Sequence, residues 1–328
     1  MASFASLIDR VRGGHSPVEL VYASHPAWPH PPRPAPTHGT LRVAVLDSSF
    51  NPPSRAHLAL ANAPRPAFSD EDPSDGGDYD AKLLLLSVRN ADKQLAPGDA
   101  AHTQRLAMMI LLARAVLRVP SAAVLLPSSD GAPGGPAAPG VPHDNVAVAI
   151  IDEPTFVGKS SVLLSYLRHR LSAPPASLSA PPHPESTPIS QPPVAPASPD
   201  VPRPQLTFLV GTDTLERLFA PRYYPSPVAM QTALRRFLSA HPAGDDARVV
   251  CARRALASPE ADPEEDKLKA AIREIAEEGR VLLVDIPEEL RAVSSTAIRR
   301  DVRSGDAWRA MVSPAVAEYV VEHDLYRA

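Results

Sequence analysis

Short apolar runs followed by helix-compatible sequence recur along this chain of 328 residues, and that recurrence constrains the fold more than any other feature. The runs are Val43–Leu46, Lys82–Val88, Asn145–Ile151, Leu206–Val210, Arg248–Arg254 and Arg280–Val284. Val-Ala-Val-Leu and Lys-Leu-Leu-Leu-Leu lack the alternation of a half-exposed strand, so they read as parallel strands covered on both faces. Such strands alternating with helices predict an α/β protein.

Between the strands, apolar spacing predicts helices over residues 4–12, 58–63, 106–117, 160–171, 228–238 and 267–278, with a last helix opening at Ser313-Pro314. Forty prolines are far above the ordinary ~5% usage. Twelve of them fall in residues 172–204, a block too poor in apolar groups to offset its ordering entropy. This block reads as a Pro-rich disordered loop, and strand sequence resumes directly after it. The expected organisation is therefore an N-terminal helix with a Pro/His-rich lead over 1–40, then one domain over 41–328 interrupted by that loop. The acidic stretch 69–80 lacks the ligand register of a calcium loop and reads as surface.

Charge excludes some partners. With 33 basic and 37 acidic residues the formal charge is -4, which gives no footprint for general nucleic-acid binding. The single cysteine, Cys251, excludes an internal disulfide and a cysteine-based zinc site, and it reads as a buried small apolar residue. No run approaches the ~18 apolar residues of a membrane helix. A cytoplasmic or nuclear location is expected.

Three places carry chemistry. The first run breaks at Asp47 into S-S-F-N-P-P-S-R-A-H, which brings Ser48, Ser49, Ser54 and His57 to a strand's carboxyl end, where open α/β sheets bind ligands. The fourth run continues into Gly211-Thr212-Asp213: glycine permits close backbone approach, and the carboxylate can accept from ribose hydroxyls. The third is V-S-S-T-A-I-R over 293–299, in which Ser294 or Ser295 caps a helix and Arg299 lies about one turn on. Hydroxyls, free N–H groups and a guanidinium there can converge on an anion.

The opening loop resembles the signature of the HIGH-type nucleotidyltransferases, and Ser-Phe-Asn-Pro within it is similar to that of eukaryotic nicotinamide mononucleotide adenylyltransferases. V-S-S-T-A-I-R resembles the same superfamily's I-S-S-T-x-I-R motif. The loop departs from the pattern at Ser48, where glycine is usual, at Ser54, where His or Thr is usual, and at Ala56, often glycine. The resemblance spans about residues 41–328 and implies a Rossmann-like, doubly wound, mainly parallel sheet with helices on both faces and a helical C-terminal part.

It further implies AMP transfer from ATP to nicotinamide mononucleotide, giving NAD and pyrophosphate. His57, Ser54 and Arg299 would act at the reacting phosphates. Ser49, Phe50, Gly211, Asp213, Ser295 and Thr296 would join them in holding ATP, and Ser48, Lys93, Glu153, Phe156 and Tyr224 would hold the acceptor, with Tyr223 an alternative to Tyr224. Magnesium (Mg2+) would arrive with ATP, and no protein metal ligand is named. The alternatives are a sister nucleotidyltransferase with another acceptor, or a nucleotide-binding, ATP-hydrolysing interaction protein whose Pro-rich loop 172–204 docks a protein partner.

Overall fold

A computed structural model describes residues 2–30, 39–68, 77–89, 98–117, 143–173, 201–253, 270–273 and 279–327. Its centre is a seven-stranded sheet: β1 (Val18–Ala23), β2 (Thr40–Asp47), β3 (Ala81–Ser87), β4 (Val146–Ile151), β5 (Arg203–Gly211), β6 (Arg248–Ala252) and β7 (Val281–Val284). They lie in the order β1-β4-β3-β2-β5-β6-β7, with β1 antiparallel to β4 and every other pairing parallel. Counting only the parallel strands in chain order gives 3-2-1-4-5-6, the doubly wound arrangement.

The unalternating runs now have their physical reason. In β2, Val43 and Val45 face one apolar cluster while Ala44 and Leu46 face another, because successive side chains point to opposite faces. The helices are α1 (Phe4–Arg12), α2 (Arg55–Ala61), α3 (His102–Arg114), α4 (Phe156–Ser172), α5 (Thr212–Leu218), α6 (Pro227–Leu238), α7 (Glu288–Arg291), α8 (Ser295–Asp301) and α9 (Pro314–Glu322). Ile8, Leu60, Leu106 and Leu290 of α1, α2, α3 and α7 bury against the Ala44 face, and Leu163, Leu215 and Leu234 of α4, α5 and α6 against the Val43 face. A third cluster joins Ile298 of α8 and Val316 and Val320 of α9 to Met108 on α3 and Trp308, fixing the C-terminal helices to the main body. α9 opens as its sequence dictates, with Pro314 in the first turn and Ser313 Oγ accepting from Val316 N–H.

Three differences from the sequence reading have plain causes. β1 was not among the expected strands: only Val18 of its six residues is fully buried, so it carries no apolar run. Trp28 was expected in a solvated lead, yet it is fully buried in the Val43-side cluster. α4 begins at Phe156 rather than Ser160, because Thr155 caps it by accepting from Gly158 N–H at 3.1 Å. The helix expected over 267–278 falls mostly outside the described residues, as does the Pro-rich stretch 174–200. β5 starts at Arg203, inside the block assigned to the loop. Among the described residues no helix is long and apolar enough to cross a membrane.

Candidate active site

β2 and β5 are neighbours whose onward connections run in opposite directions, so a crevice opens where they end, at Asp47 and Gly211. A cleft of about 680 Å³ occupies that point, and Ser48, Ser49, Ser54, His57, Phe156, Gly211, Asp213, Tyr224, Ser295, Thr296 and Arg299 all line it. Eleven of the residues expected from sequence are thus brought together.

The imidazole of His57 is held at both nitrogens. Ser54 caps α2, its backbone N–H donates to Nδ1 at 3.0 Å, and its hydroxyl lies 2.7 Å from the same atom. Because Nδ1 accepts, the proton of the neutral ring sits on Nε2. That N–H meets Ser48 Oγ at 2.9 Å. The Ser54 hydroxyl was expected to meet phosphate; it is instead buried and turned onto His57, because the capping geometry directs it inward. Phe50 is also corrected. Its side chain is fully buried in the Ala44-side cluster, 5.2 Å from the His57 ring between centroids, so it backs the imidazole and does not line the cleft. Phe50 adopts φ 44°, an uncommon conformation for a bulky residue, and this turns its ring into the core as the loop leaves the strand.

α8 docks on that loop. Ser294 is the capping serine, accepting from Ala297 N–H at 3.1 Å, which leaves Ser295 free to donate to the Pro52 carbonyl at 2.8 Å. Arg299 Nη1 donates to the Asn51 carbonyl at 2.6 Å, and its Nε lies 3.6 Å from the Asp99 carboxylate. Asn51 completes the junction: its Nδ2 donates to Asp99 at 2.6 Å and its Oδ1 accepts from Ala100 N–H at 3.2 Å.

Gly211 has φ -93°, which any residue adopts, and a Cβ built there meets nothing within 4 Å. Its smallness therefore serves no protein contact and leaves room in the cleft. Asp213 follows in the first turn of α5, where the helix dipole favours a carboxylate. Tyr224 donates its hydroxyl to the Leu218 carbonyl at 2.8 Å, and burial pushes its pKa up to about 12. Phe156 packs edge-on against Phe208 and carries the Lys159 ammonium 4.9 Å from its ring centroid.

Glu153 does not line the cleft. Its Oε1 accepts from the Thr155 hydroxyl at 2.7 Å and the Thr155 N–H at 3.0 Å, and it packs so closely on Gly158 that a Cβ there would collide with it. It shapes the start of α4. Lys93 lies outside the described residues.

Sequence reasoning missed several lining residues. Lys159 and Asp47 pair at 2.5 Å on the cleft floor, both side chains nearly buried. Nothing in sequence signalled Lys159, since α4 was expected to start one residue later. Arg12, Arg89, His102, Arg105, Arg217, Arg253 and Arg291 also line the cleft. Among the described lining residues, eight arginines and lysines face three aspartates. The cleft is basic although the chain carries a charge of -4, which suits a polyanionic ligand. No group of three or more His, Cys, Asp or Glu that could hold a metal ion occurs among the described residues.

Fold and site together define an α/β protein with a doubly wound sheet and a basic cleft at its switch point. A 50-residue segment, 15% of the chain, is 46% identical to a probable nicotinate-nucleotide adenylyltransferase of Stenotrophomonas maltophilia, covering 22% of that protein. A 68-residue segment, 20% of the chain, is 43% identical to a putative nicotinamide mononucleotide adenylyltransferase of Schizosaccharomyces pombe, covering 21% of it. The chain thus spans about a fifth of the length of these curated relatives. The Plasmodium falciparum nicotinic acid mononucleotide adenylyltransferase complexed with NaAD aligns with 87% of this chain and 97% of its own, at 11% identity and a TM-score of 0.46. No family model matches the chain. The two motifs meet at one crevice, and the matched segments are similar to stretches of nicotinate- and nicotinamide-nucleotide adenylyltransferases.

Proposed function

We propose that the protein is a nicotinamide mononucleotide adenylyltransferase, moving AMP from ATP to nicotinamide mononucleotide with release of NAD and pyrophosphate. The observation that carries this reading is the Arg299–Asn51 hydrogen bond, which joins two phosphate motifs 248 residues apart in sequence at the sheet's switch point. The names of the two relatives support it, one for a nicotinate and one for a nicotinamide acceptor.

The acceptor's phosphate is already a nucleophile, so no covalent enzyme intermediate is needed. One of its oxygens attacks the α-phosphorus of ATP in line; the bond to pyrophosphate breaks, and its electron pair leaves with pyrophosphate. Catalysis then rests on alignment and on donors aimed at developing charge. His57 Nε2–H would leave the Ser48 hydroxyl and donate to a phosphate oxygen, while Ser54 keeps the ring in that tautomer. Arg299, Ser295 and Thr296 would hold the β and γ phosphates. Gly211 and Asp213 would receive the ribose, Ser49 a facing phosphate, and Phe156 and Tyr224 would wall the acceptor. Magnesium belongs to the ATP substrate, with phosphate oxygens and water as its ligands.

Mass detection of NAD after incubation with ATP, magnesium and nicotinamide mononucleotide tests the reading, with the nicotinate acceptor run in parallel. No dinucleotide from either acceptor would sink it. One observation favours a second reading, a nucleotide-binding protein that hydrolyses ATP: Ser48 occupies the Nε2–H that transfer requires. Release of ADP or AMP without dinucleotide would select it.

A further inference from the structure

Beyond Arg299 the cleft runs into a corner that the residues assigned above do not use. Arg12, in the last turn of α1, lines it, and its Nη2 lies 3.4 Å from Nδ1 of His102, the first residue of α3. A guanidinium only donates, so Nδ1 accepts and the ring's proton sits on Nε2, leaving a second donor. Arg105, one turn along α3, is nearly buried; it donates to the Ala100 carbonyl at 2.8 Å and lies 3.6 Å from Asp99. Asp99 in turn lies 3.6 Å from Arg299. Arg299, Asp99, Arg105, His102 and Arg12 therefore form one line of charge with a single carboxylate in it.

Two further features describe this corner. α3 starts on Ala101, whose N–H donates to Gln104 Oε1 at 2.8 Å but whose own side chain accepts nothing from the first-turn amides of this 13-residue helix. Burial, and behind it Arg105 and Arg12, lower the His102 pKa to about 4, so the ring is neutral at pH 7. The charged groups that face it are Arg12 from α1, Arg105 from its own helix and, beyond Arg105, Asp99.

We propose that this corner binds the terminal phosphate of the nucleoside triphosphate, and pyrophosphate after transfer, with Arg12 and His102 as direct ligands. The proposal rests on the adenylyl-transfer reading and adds to it a binding residue from α1, ahead of the first parallel strand. With the β and γ phosphates lying along Arg299, Ser295 and Thr296, the charge continues from Arg299 through Asp99 and Arg105 to Arg12, which puts Arg12 and His102 at the outer side of the terminal phosphate. The acceptor's phosphomonoester offers the same chemistry, and the test separates the two.

Calorimetry of the full chain with magnesium, titrating ATP, pyrophosphate, AMP and nicotinamide mononucleotide in turn, tests it. Arg12→Ala is expected to weaken ATP and pyrophosphate about tenfold, in the range of one charge-assisted hydrogen bond. Arg12→Lys should recover part of that loss, and AMP and the mononucleotide should bind as in wild type. Near pH 6, wild-type ATP binding should take up a proton at His102, and His102→Asn should abolish the uptake. Unchanged ATP affinity in Arg12→Ala overturns the corner and leaves adenylyl transfer standing. Loss of mononucleotide binding instead, or of all four ligands together, also overturns it. A wild-type protein that binds no ATP removes the underlying reading with it.

Discussion

His57 Nε2 lies 2.9 Å from Ser48 Oγ, so the serine that stands where the resembling motif has glycine is also the residue that meets the imidazole's Nε2–H. The serine thus has two effects, a Cβ that narrows the loop and a hydroxyl that competes with phosphate. Ser48→Gly is expected to raise kcat/KM several-fold, measured as dinucleotide formed against ATP. A tenfold fall would show that the hydroxyl is itself a substrate ligand. His57→Ala, by contrast, should lower kcat at least tenfold with the fold intact by circular dichroism, since its contribution is to transition-state charge.

Arg299 has a structural and a binding role, and two substitutions separate them. It spans from α8 to the Asn51 carbonyl at 2.6 Å and faces Asp99. Arg299→Lys keeps a charge but loses the planar fork, so it should raise the KM for ATP about tenfold with little change in Tm. Arg299→Ala should lower Tm as well, because α8 loses an anchor to the loop. Equal KM values for wild type and Arg299→Lys would remove the arginine from the phosphate site.

Asp246 governs acid stability from the far end of the sheet. Its carboxylate accepts from Arg280 at 2.5 Å, Arg203 at 2.7 Å and Gln205 at 2.8 Å. Burial alone would raise its pKa, but the hydrogen bonds from Arg203 and Gln205 and the charges of Arg203 and Arg280 win, and it is lowered. A lowered folded pKa contributes stability that is present above the ordinary carboxylate value and lost as pH falls through the folded one. Asp246→Ala should therefore destabilise by about 1–3 kcal/mol at pH 7, since it removes the carboxylate that Arg280 and Arg203 share. It should also flatten the loss of stability below about pH 4. Urea melts at pH 7 and pH 3 compare the two, and an unchanged pH slope would count against the linkage.

Glu153 offers a direct contest between sequence and geometry. Sequence resemblance assigns it to the acceptor; its hydrogen bonds assign it to the Thr155 cap of α4. Glu153→Ala should lower stability by about 1 kcal/mol and leave the acceptor KM unchanged. A KM raised severalfold with Tm constant would return it to the acceptor site.

The parallel strands, the covering helices and the two phosphate motifs were all legible in the linear chain, because a doubly covered strand needs an apolar run and a capped helix needs its hydroxyl at a set offset. Ser294 capping α8 and Pro314 opening α9 are determined by four or five adjacent residues. β1 was not legible, since an edge strand with one fully buried residue carries too little pattern. Nor could residue type tell Phe50 from a ligand contact, because the turn that sends its ring into the core is a property of the folded loop.

The same division holds at the cleft. Local sequence determined that Ser54 and His57 would stand at a helix start, where short-range hydrogen bonds let Ser54 orient the imidazole. Tertiary structure alone decided that Arg299 meets Asn51 and that Arg12, Lys159 and Arg105 share one basic wall. Those pairings join residues up to 248 positions apart, and no local preference encodes such a distance. They follow from strand order and helix packing, which bring remote side chains to the single point where β2 and β5 part.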